Sequence, residues 1–298
     1  MFFEIIVAAF FLGYLVLLAA LVGRRFWPTQ RTNSVEDREE SLPGYSDDSA
    51  PKMIEVINVK KAFDHPVLKG VTLAVARGET VGILGRSGTG KSVLLKLIAG
   101  FLQPDSGVIL YNGREITQMS ERRLLEFRKR VSYVFQGGAF FDFLNVRENI
   151  AYPLRERGIT DEELIRSRVD YLIDAVELDG MGDYTHDELN AGAKKQVAIA
   201  RAIANEPEVI LYDEPTTGVD PIIGKSLSRL IRKLNRQEHL TSVVVTHDLK
   251  CLEIVADRII LLEDGRIHFE GTPEEFETTK DPFVFAFRTG RRLETLAS

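Results

Sequence analysis

The sequence predicts an α/β domain, and three observations predict it. From residue 53 onward, apolar runs of strand length alternate with stretches of helical periodicity. One such run, Val81-Gly82-Ile83-Leu84, leads through a glycine-rich segment into Val93-Leu94-Leu95-Lys96-Leu97-Ile98, which gives a strand–loop–helix unit. Another, Val209-Ile210-Leu211-Tyr212, ends in the adjacent carboxylates Asp213 and Glu214.

The chain has 298 residues, enough for one large domain or two small ones. A net charge of −6 excludes the basic face of a general nucleic-acid binder, so no nucleic-acid partner is expected. The single cysteine, Cys251, excludes an internal disulfide framework and fits a reducing compartment.

Residues 1–27 are expected to anchor the chain in a membrane. Residues 5–23 carry no charge, and a helix of that length rises roughly 28 Å, close to the thickness of a bilayer's hydrocarbon core. Arg24 and Arg25 follow at once with Trp27 beyond them, so the positive-inside rule places the rest of the chain in the cytoplasm. A cleaved signal peptide would carry its basic residues before the apolar run, the reverse of the order here. A buried core helix is the third reading, and no amphipathic pattern favours it. Residues 28–52 are acidic and rich in Pro, Gly and Ser, a flexible linker by composition and alternatively a docking segment for another protein.

The loop between the first strand and its helix reads Gly85-Arg86-Ser87-Gly88-Thr89-Gly90-Lys91-Ser92. This is the G-x-x-x-x-G-K-[ST] phosphate-binding pattern. Its glycines let successive N–H groups turn inward on a polyphosphate, Lys91 adds a point charge, and the Ser92 hydroxyl is placed to ligate Mg²⁺. With Val93 at the start of the helix, whose dipole faces the phosphates, these residues are the expected ATP site. Asp213 is then expected to hold Mg²⁺ with Ser92, and Glu214 to polarise the water that attacks the γ-phosphate.

Together these elements resemble the nucleotide-binding subunit of an ABC transporter, from residue 53 to about 275. The resemblance implies a P-loop NTPase core with an antiparallel β subdomain and a helical subdomain at about 143–195. In the latter, residues 163–178 have amphipathic helical spacing. It also implies roles for single residues. Phe63 would stack on adenine. Gln136, in Tyr133-Val134-Phe135-Gln136, would sense Mg²⁺ and couple to the membrane subunit. Asp220, in Gly218-Val219-Asp220-Pro221, would communicate across a dimer, and His247 would contact the γ-phosphate. The family's signature Leu-Ser-Gly-Gly-Gln stands here as Leu189-Asn190-Ala191-Gly192-Ala193. Asn190 and Gly192 would reach the ATP of a partner copy. Asn caps a helix about as well as Ser, whereas Ala191 would cost roughly 1 kcal/mol if its position required left-handed backbone. The intact loop, Gln136, Glu214 and His247 favour an active ATPase over a silent regulatory subunit.

The stretch from Gly137 to Arg155, with Gly137-Gly138-Ala139-Phe140-Phe141-Asp142-Phe143-Leu144-Asn145-Val146 and Tyr152-Pro153-Leu154-Arg155, is similar to the Mla-type (MCE) lipid transporters, with Phe in two places where that pattern has Leu and Ser. This resemblance implies a homodimer of ATPase subunits bound to a transmembrane permease, accessory MCE-type subunits, and a place on the cytoplasmic face of the inner membrane. A non-transport ATPase of the same fold would need paired domains or a coiled-coil insertion, and neither is present. Arg122, Arg123, Arg128, Lys129 and Arg130 read as a solvated helix face. The tail, 276–298, alternates Phe283, Phe285 and Phe287 before Arg288, and either contacts a partner or packs on its own domain.

Overall fold

The computed structural model describes residues 51–289. The expected membrane anchor and almost all of the linker lie outside those residues. Among the described residues no helix is long and apolar enough to cross a membrane.

Two sheets form the framework. Strands β1 (Lys52–Ala62), β2 (Pro66–Ala76), β4 (Ser106–Tyr111) and β5 (Arg114–Glu115) make an antiparallel sheet in the order β2-β1-β4-β5. Strands β3 (Thr80–Leu84), β6 (Val131–Val134), β7 (Val209–Asp213), β8 (Thr241–Thr246), β9 (Arg258–Glu263) and β10 (Arg266–Gly271) make the second, in the order β10-β9-β3-β8-β7-β6. All of its strands run parallel except β10, which folds back against β9. β3, β7 and β8 are buried along their whole length, which explains why they read as unbroken apolar or small-residue runs rather than alternating ones: both faces of the sheet are covered.

The helices are α1 (Lys91–Ile98), α2 (Glu121–Arg128), α3 (Val146–Glu156), α4 (Glu162–Ala175), α5 (Ala191–Ile203), α6 (Pro221–Gln237), α7 (Leu249–Val255), α8 (Pro273–Thr278) and α9 (Pro282–Thr289). Several begin where the sequence places a cap. Asn145 and Glu148 form a reciprocal capping box on α3, and Asp220 accepts from the Ile222 amide with Pro221 in the first turn of α6. α3, α4 and α5 pack on one another, and α4 turns Ile165, Val169, Leu172 and Ile173 inward, as its spacing predicts.

One expectation is revised and one open alternative is decided. Arg128 does not lie on a solvated face: its guanidinium donates to the Gly100 carbonyl at 2.7 Å and sits over the Phe101 ring. The start of the tail packs on its own domain, where Val284 and Ala286 are 0% and 1% exposed, and the boundary at 275 falls within α8.

Candidate functional site

Four chain segments reach one cleft because they leave the carboxyl ends of four neighbouring parallel strands. Leu84 at the end of β3 is level with Thr246 of β8, Val245 of β8 with Asp213 of β7, and Tyr212 of β7 with Val134 of β6. The glycine loop, His247, Glu214 and Gln136 therefore follow strands that sit side by side, the place where open α/β sheets bind ligands. The cleft has a volume of about 800 Å³ and is lined by Phe63, Arg86 to Gly88, Gly90 to Val93, Gln136, Glu214 and His247.

The loop's glycines have separate reasons. A Cβ on Gly85 would stand 2.5 Å from the Leu262 carbonyl oxygen, so only glycine fits there. Gly90 has φ +100°, a left-handed turn at the start of α1 that favours glycine. Thr89 closes the loop by donating its hydroxyl to the Arg86 carbonyl at 3.0 Å. Lys91 is buried, and its ammonium donates to the carbonyls of Gly85 at 2.8 Å and Arg86 at 2.9 Å. Burial lowers its pKa, against the opposing pull of Glu214 and Asp213.

The Ser92 hydroxyl donates to Asp213 Oδ1 at 2.8 Å, and the Tyr133 hydroxyl donates to Asp213 Oδ2 at 2.7 Å. One hydroxyl and one carboxylate, both hard oxygen donors at the helix start, suit Mg²⁺, which takes one or two protein ligands and completes its shell with water and phosphate. Among the described residues no cluster of three or more His, Cys, Asp and Glu offers a site of any other kind. Burial first, then Asp213, raises the Tyr133 pKa far above the usual phenol range, so the phenol remains a donor.

Glu214 has φ +50°, a left-handed backbone that is costly for a side chain with a Cβ. Its amide donates to the Val245 carbonyl at 2.9 Å, which ties this turn to β8. Glu214 as a residue is 9% exposed, and its carboxylate accepts from Thr217 and Thr246 and lies 2.9 Å from His247 Nδ1.

Asn190 caps α5 by accepting from the Ala193 amide at 2.9 Å. Ala191 is the first residue of α5 and is not left-handed, so the strain considered for it does not arise. Gly192 is held by packing: a Cβ there would stand 2.7 Å from Ile223 Cγ2. Asn190, Gly192 and Asp220 are not among the residues that line this cleft. Asn190 and Ala191 are exposed at the tip of α5, and Ile222, two residues beyond Asp220, is 82% exposed.

The structure gives specific contacts to Lys195, Arg201 and Asn149, to which sequence reasoning assigned no role, and places the aromatic residues it had quoted. Buried Lys195 donates to the Gln136 carbonyl, and Arg201 donates to the carbonyls of Gly138 and Ala139, so α5 grips the segment after β6 from its side. Asn149, fully buried, accepts from the Phe141 amide and donates to the carbonyls of Phe141, Leu144 and Asn145, which shapes the aromatic stretch that precedes α3. Phe141 packs on Phe143 and Tyr152, and Phe143 is 83% exposed. Phe63 is 57% exposed beside the cleft, with the Lys61 ammonium over one side of its ring. Ala286 and Phe287 of α9 also line the cleft.

Known proteins share this arrangement. The "ABC transporter" family model matches residues 68–217. The intermembrane phospholipid transport system ATP-binding protein MlaF of Haemophilus influenzae is 40% identical over 239 residues, 80% of this chain and 90% of that protein. The sulfate/thiosulfate import ATP-binding protein CysA of Synechococcus elongatus is 42% identical over 236 residues, 78% of this chain and 67% of that one. The dimeric post-hydrolysis structure of the ATP-binding cassette MJ0796, bound to ADP and Pi, superposes with a TM-score of 0.68 at 33% identity, covering 74% of this chain and 99% of that one.

Proposed function

This chain belongs to the ABC transporter family and is an ATPase, and we propose that it powers phospholipid transport through a partner permease. Overall identity does not select the cargo, because a sulfate importer's subunit matches as well as a phospholipid transporter's. The observation that carries the lipid reading is the long stretch from Gly137 to Arg155, similar to the Mla type, which here presents the Phe141, Phe143 and Tyr152 cluster on the surface where a permease helix would dock.

In this reading the amides of residues 86–92 cradle the phosphates, Lys91 leaves its two carbonyls to reach the β/γ-phosphate oxygens, and Phe63 stacks on the base. Ser92 and Asp213 hold Mg²⁺, which when bound neutralises charge on the phosphate oxygens. Glu214 orients and polarises the attacking water, the bond to the γ-phosphoryl group breaks, and ADP and phosphate leave. His247 fixes the Glu214 carboxylate and faces the γ-phosphate, and Gln136 reports the state of the site to the permease. Two copies sandwich two nucleotides, with Asn190, Gly192 and Asp220 of each serving the other; the dimeric form of the MJ0796 cassette supports this. The apolar residues 5–23 anchor the chain in the inner membrane, joined by the linker to a cytoplasmic ATPase domain that starts near residue 53 and runs on through α8 and α9.

The test is reconstitution. The full chain, purified with its copurifying membrane subunits and placed in phospholipid vesicles, should turn over Mg-ATP and move fluorescent phospholipid between vesicles. Both activities should be lost together in Glu214→Gln. ATP turnover that responds to sulfate or another small solute, with no phospholipid movement, would sink the lipid assignment.

A further inference from the structure

We propose that helix α9 supplies a second wall of the base-binding end of the nucleotide cleft, with Phe287 packing on the nucleobase across from Phe63. The proposal rests on the reading of this cleft as the ATP site.

Phe287 lies far along the chain from every nucleotide motif, yet it and Ala286 line the cleft together with Phe63 and Val67. The route is visible in the packing. The start of α9 sits on β10, where the Phe283 ring packs at a tilt against His268 with ring centroids 4.3 Å apart. The turn between β9 and β10 is tied to β2, since the Lys69 amide donates to the Gly265 carbonyl at 2.8 Å. Val67 lies two residues before Lys69, and Phe63 stands just ahead of β2. Thus α9, β10 and the Phe63–Val67 segment belong to one side of the cleft, while Gln136, Glu214 and His247 come from the strand ends described above.

The three aromatic residues of α9 have different uses. Phe283 is engaged with His268, and the Arg288 guanidinium lies over the Phe285 ring at 5.5 Å. Phe287, four residues from Phe283 and so on the same face of the helix, has no ring or cation partner among the described residues. It is half-buried against the cleft. An aromatic ring that lines a polar nucleotide cleft and stacks on none of the described residues suits a flat, π-rich ligand surface.

The wall is also held in place. Asp281 accepts from the Phe283 amide at 2.8 Å and the Val284 amide at 2.9 Å, with His268 Nε2 3.3 Å away. At the other end Arg288 donates to the Phe276 carbonyl at 3.3 Å and pairs with Glu277 at 3.5 Å. Val284 and Ala286 are buried beneath. A ring on a helix fixed at both ends binds without a large ordering cost.

The experiment separates base from phosphate. In the full chain carrying Glu214→Gln, so that nucleotide is not consumed, the affinities for Mg-ATP and Mg-tripolyphosphate are measured by calorimetry with and without Phe287→Ala. The expected result is a five- to tenfold weaker Kd for ATP, a tripolyphosphate Kd within twofold of its starting value, and recovery of ATP affinity in Phe287→Tyr. An unchanged ATP Kd, or equal losses for ATP and tripolyphosphate, would overturn the proposal. Photolabelling of the otherwise native chain with 8-azido-ATP needs no change in α9. Label in residues 282–289 supports the wall, and label confined to the Phe63 segment overturns it. Failure of the parent chain to bind either ligand would instead strike the reading of the cleft itself.

Discussion

His247 Nδ1 stands 2.9 Å from Glu214 Oε2, the same oxygen that accepts the Thr217 hydroxyl at 3.0 Å and the Thr246 hydroxyl at 3.1 Å. A carboxylate only accepts, so the imidazole donates from Nδ1 and presents Nε2 outward. Three donors on one oxygen fix the carboxylate plane. The other oxygen, Oε1, remains for the cleft, 3.9 Å from the Lys91 ammonium. In the proposed role of base Glu214 must be aimed before it can act, and the aim comes from the end of β8, through Thr246 and His247, and from Thr217 in the turn between β7 and α6.

Glu214→Gln keeps the shape of this side chain and removes its basicity. Mg-ATP turnover should fall by on the order of 10²–10⁴, the range that positioned proton transfer contributes, while ATP binding stays within about threefold. Parallel turnover and equilibrium-binding assays decide it. Residual turnover close to that of the parent chain would move the catalytic role elsewhere.

Tyr133→Phe removes the hydrogen bond on Asp213 Oδ2 and leaves the Ser92 bond to Oδ1. The Mg²⁺ concentration for half-maximal turnover should rise three- to tenfold with kcat at saturating Mg²⁺ within twofold. Stability should fall by about 1–2 kcal/mol, because a buried acceptor loses a partner. A Mg²⁺ titration that superposes on the parent's would show that Tyr133 does not position Asp213.

Asn190 works as a helix cap whatever else it contacts. Replacement by Ala should cost about 1 kcal/mol in urea unfolding, and replacement by Ser close to nothing. Ala191→Gly, which restores the family's residue, should lose a few tenths to 1 kcal/mol, since Ala191 already has helical backbone. A gain in stability from that glycine would mean that the turn before α5 is strained after all.

Burial pushes the Cys251 thiol up to about 11. The folded value lies above the unfolded one, about 8.5, so its contribution to stability is complete below that pH and is lost as pH rises toward 11. Between pH 8 and pH 10 the stability difference between the native chain and Cys251→Ala should change by about 1–2 kcal/mol, to the native chain's disadvantage. Urea unfolding at both pH values measures it, and a difference that stays constant would refute the buried-thiol account.

The parts of the site that could be read from the sequence are those whose geometry is written in consecutive residues. Gly85 to Ser92 specify their own backbone path, and the acid pair after Val209–Tyr212 announces a strand end. Parallel strands with both faces covered gave continuous apolar runs, so β3 and β7 were legible without periodicity. What escaped depends on contacts between distant segments. Lys195 looks like one more surface charge until its ammonium is found on the Gln136 carbonyl. Tyr133 looks like a strand residue until its hydroxyl reaches Asp213. Ala191 is the converse case: a departure from the family's glycine suggested strain, but the backbone there is ordinary helix. Phe287 sat in a tail whose alternating Phe residues left open whether it meets a partner or packs on its own domain, and its place beside the cleft depends on a helix capped by Asp281.

Helix α5 has one further mechanical meaning. Its exposed tip carries Asn190 and Ala191, and its body holds the carbonyls of Gln136, Gly138 and Ala139 through Lys195 and Arg201. A push on the tip is therefore carried along a stiff rod into the backbone beside the aromatic surface at Phe141 and Phe143. The tip and the aromatic surface are thus joined through one unbroken helix, Ala191–Ile203, and a load placed on either would be felt at the other through the same two cations.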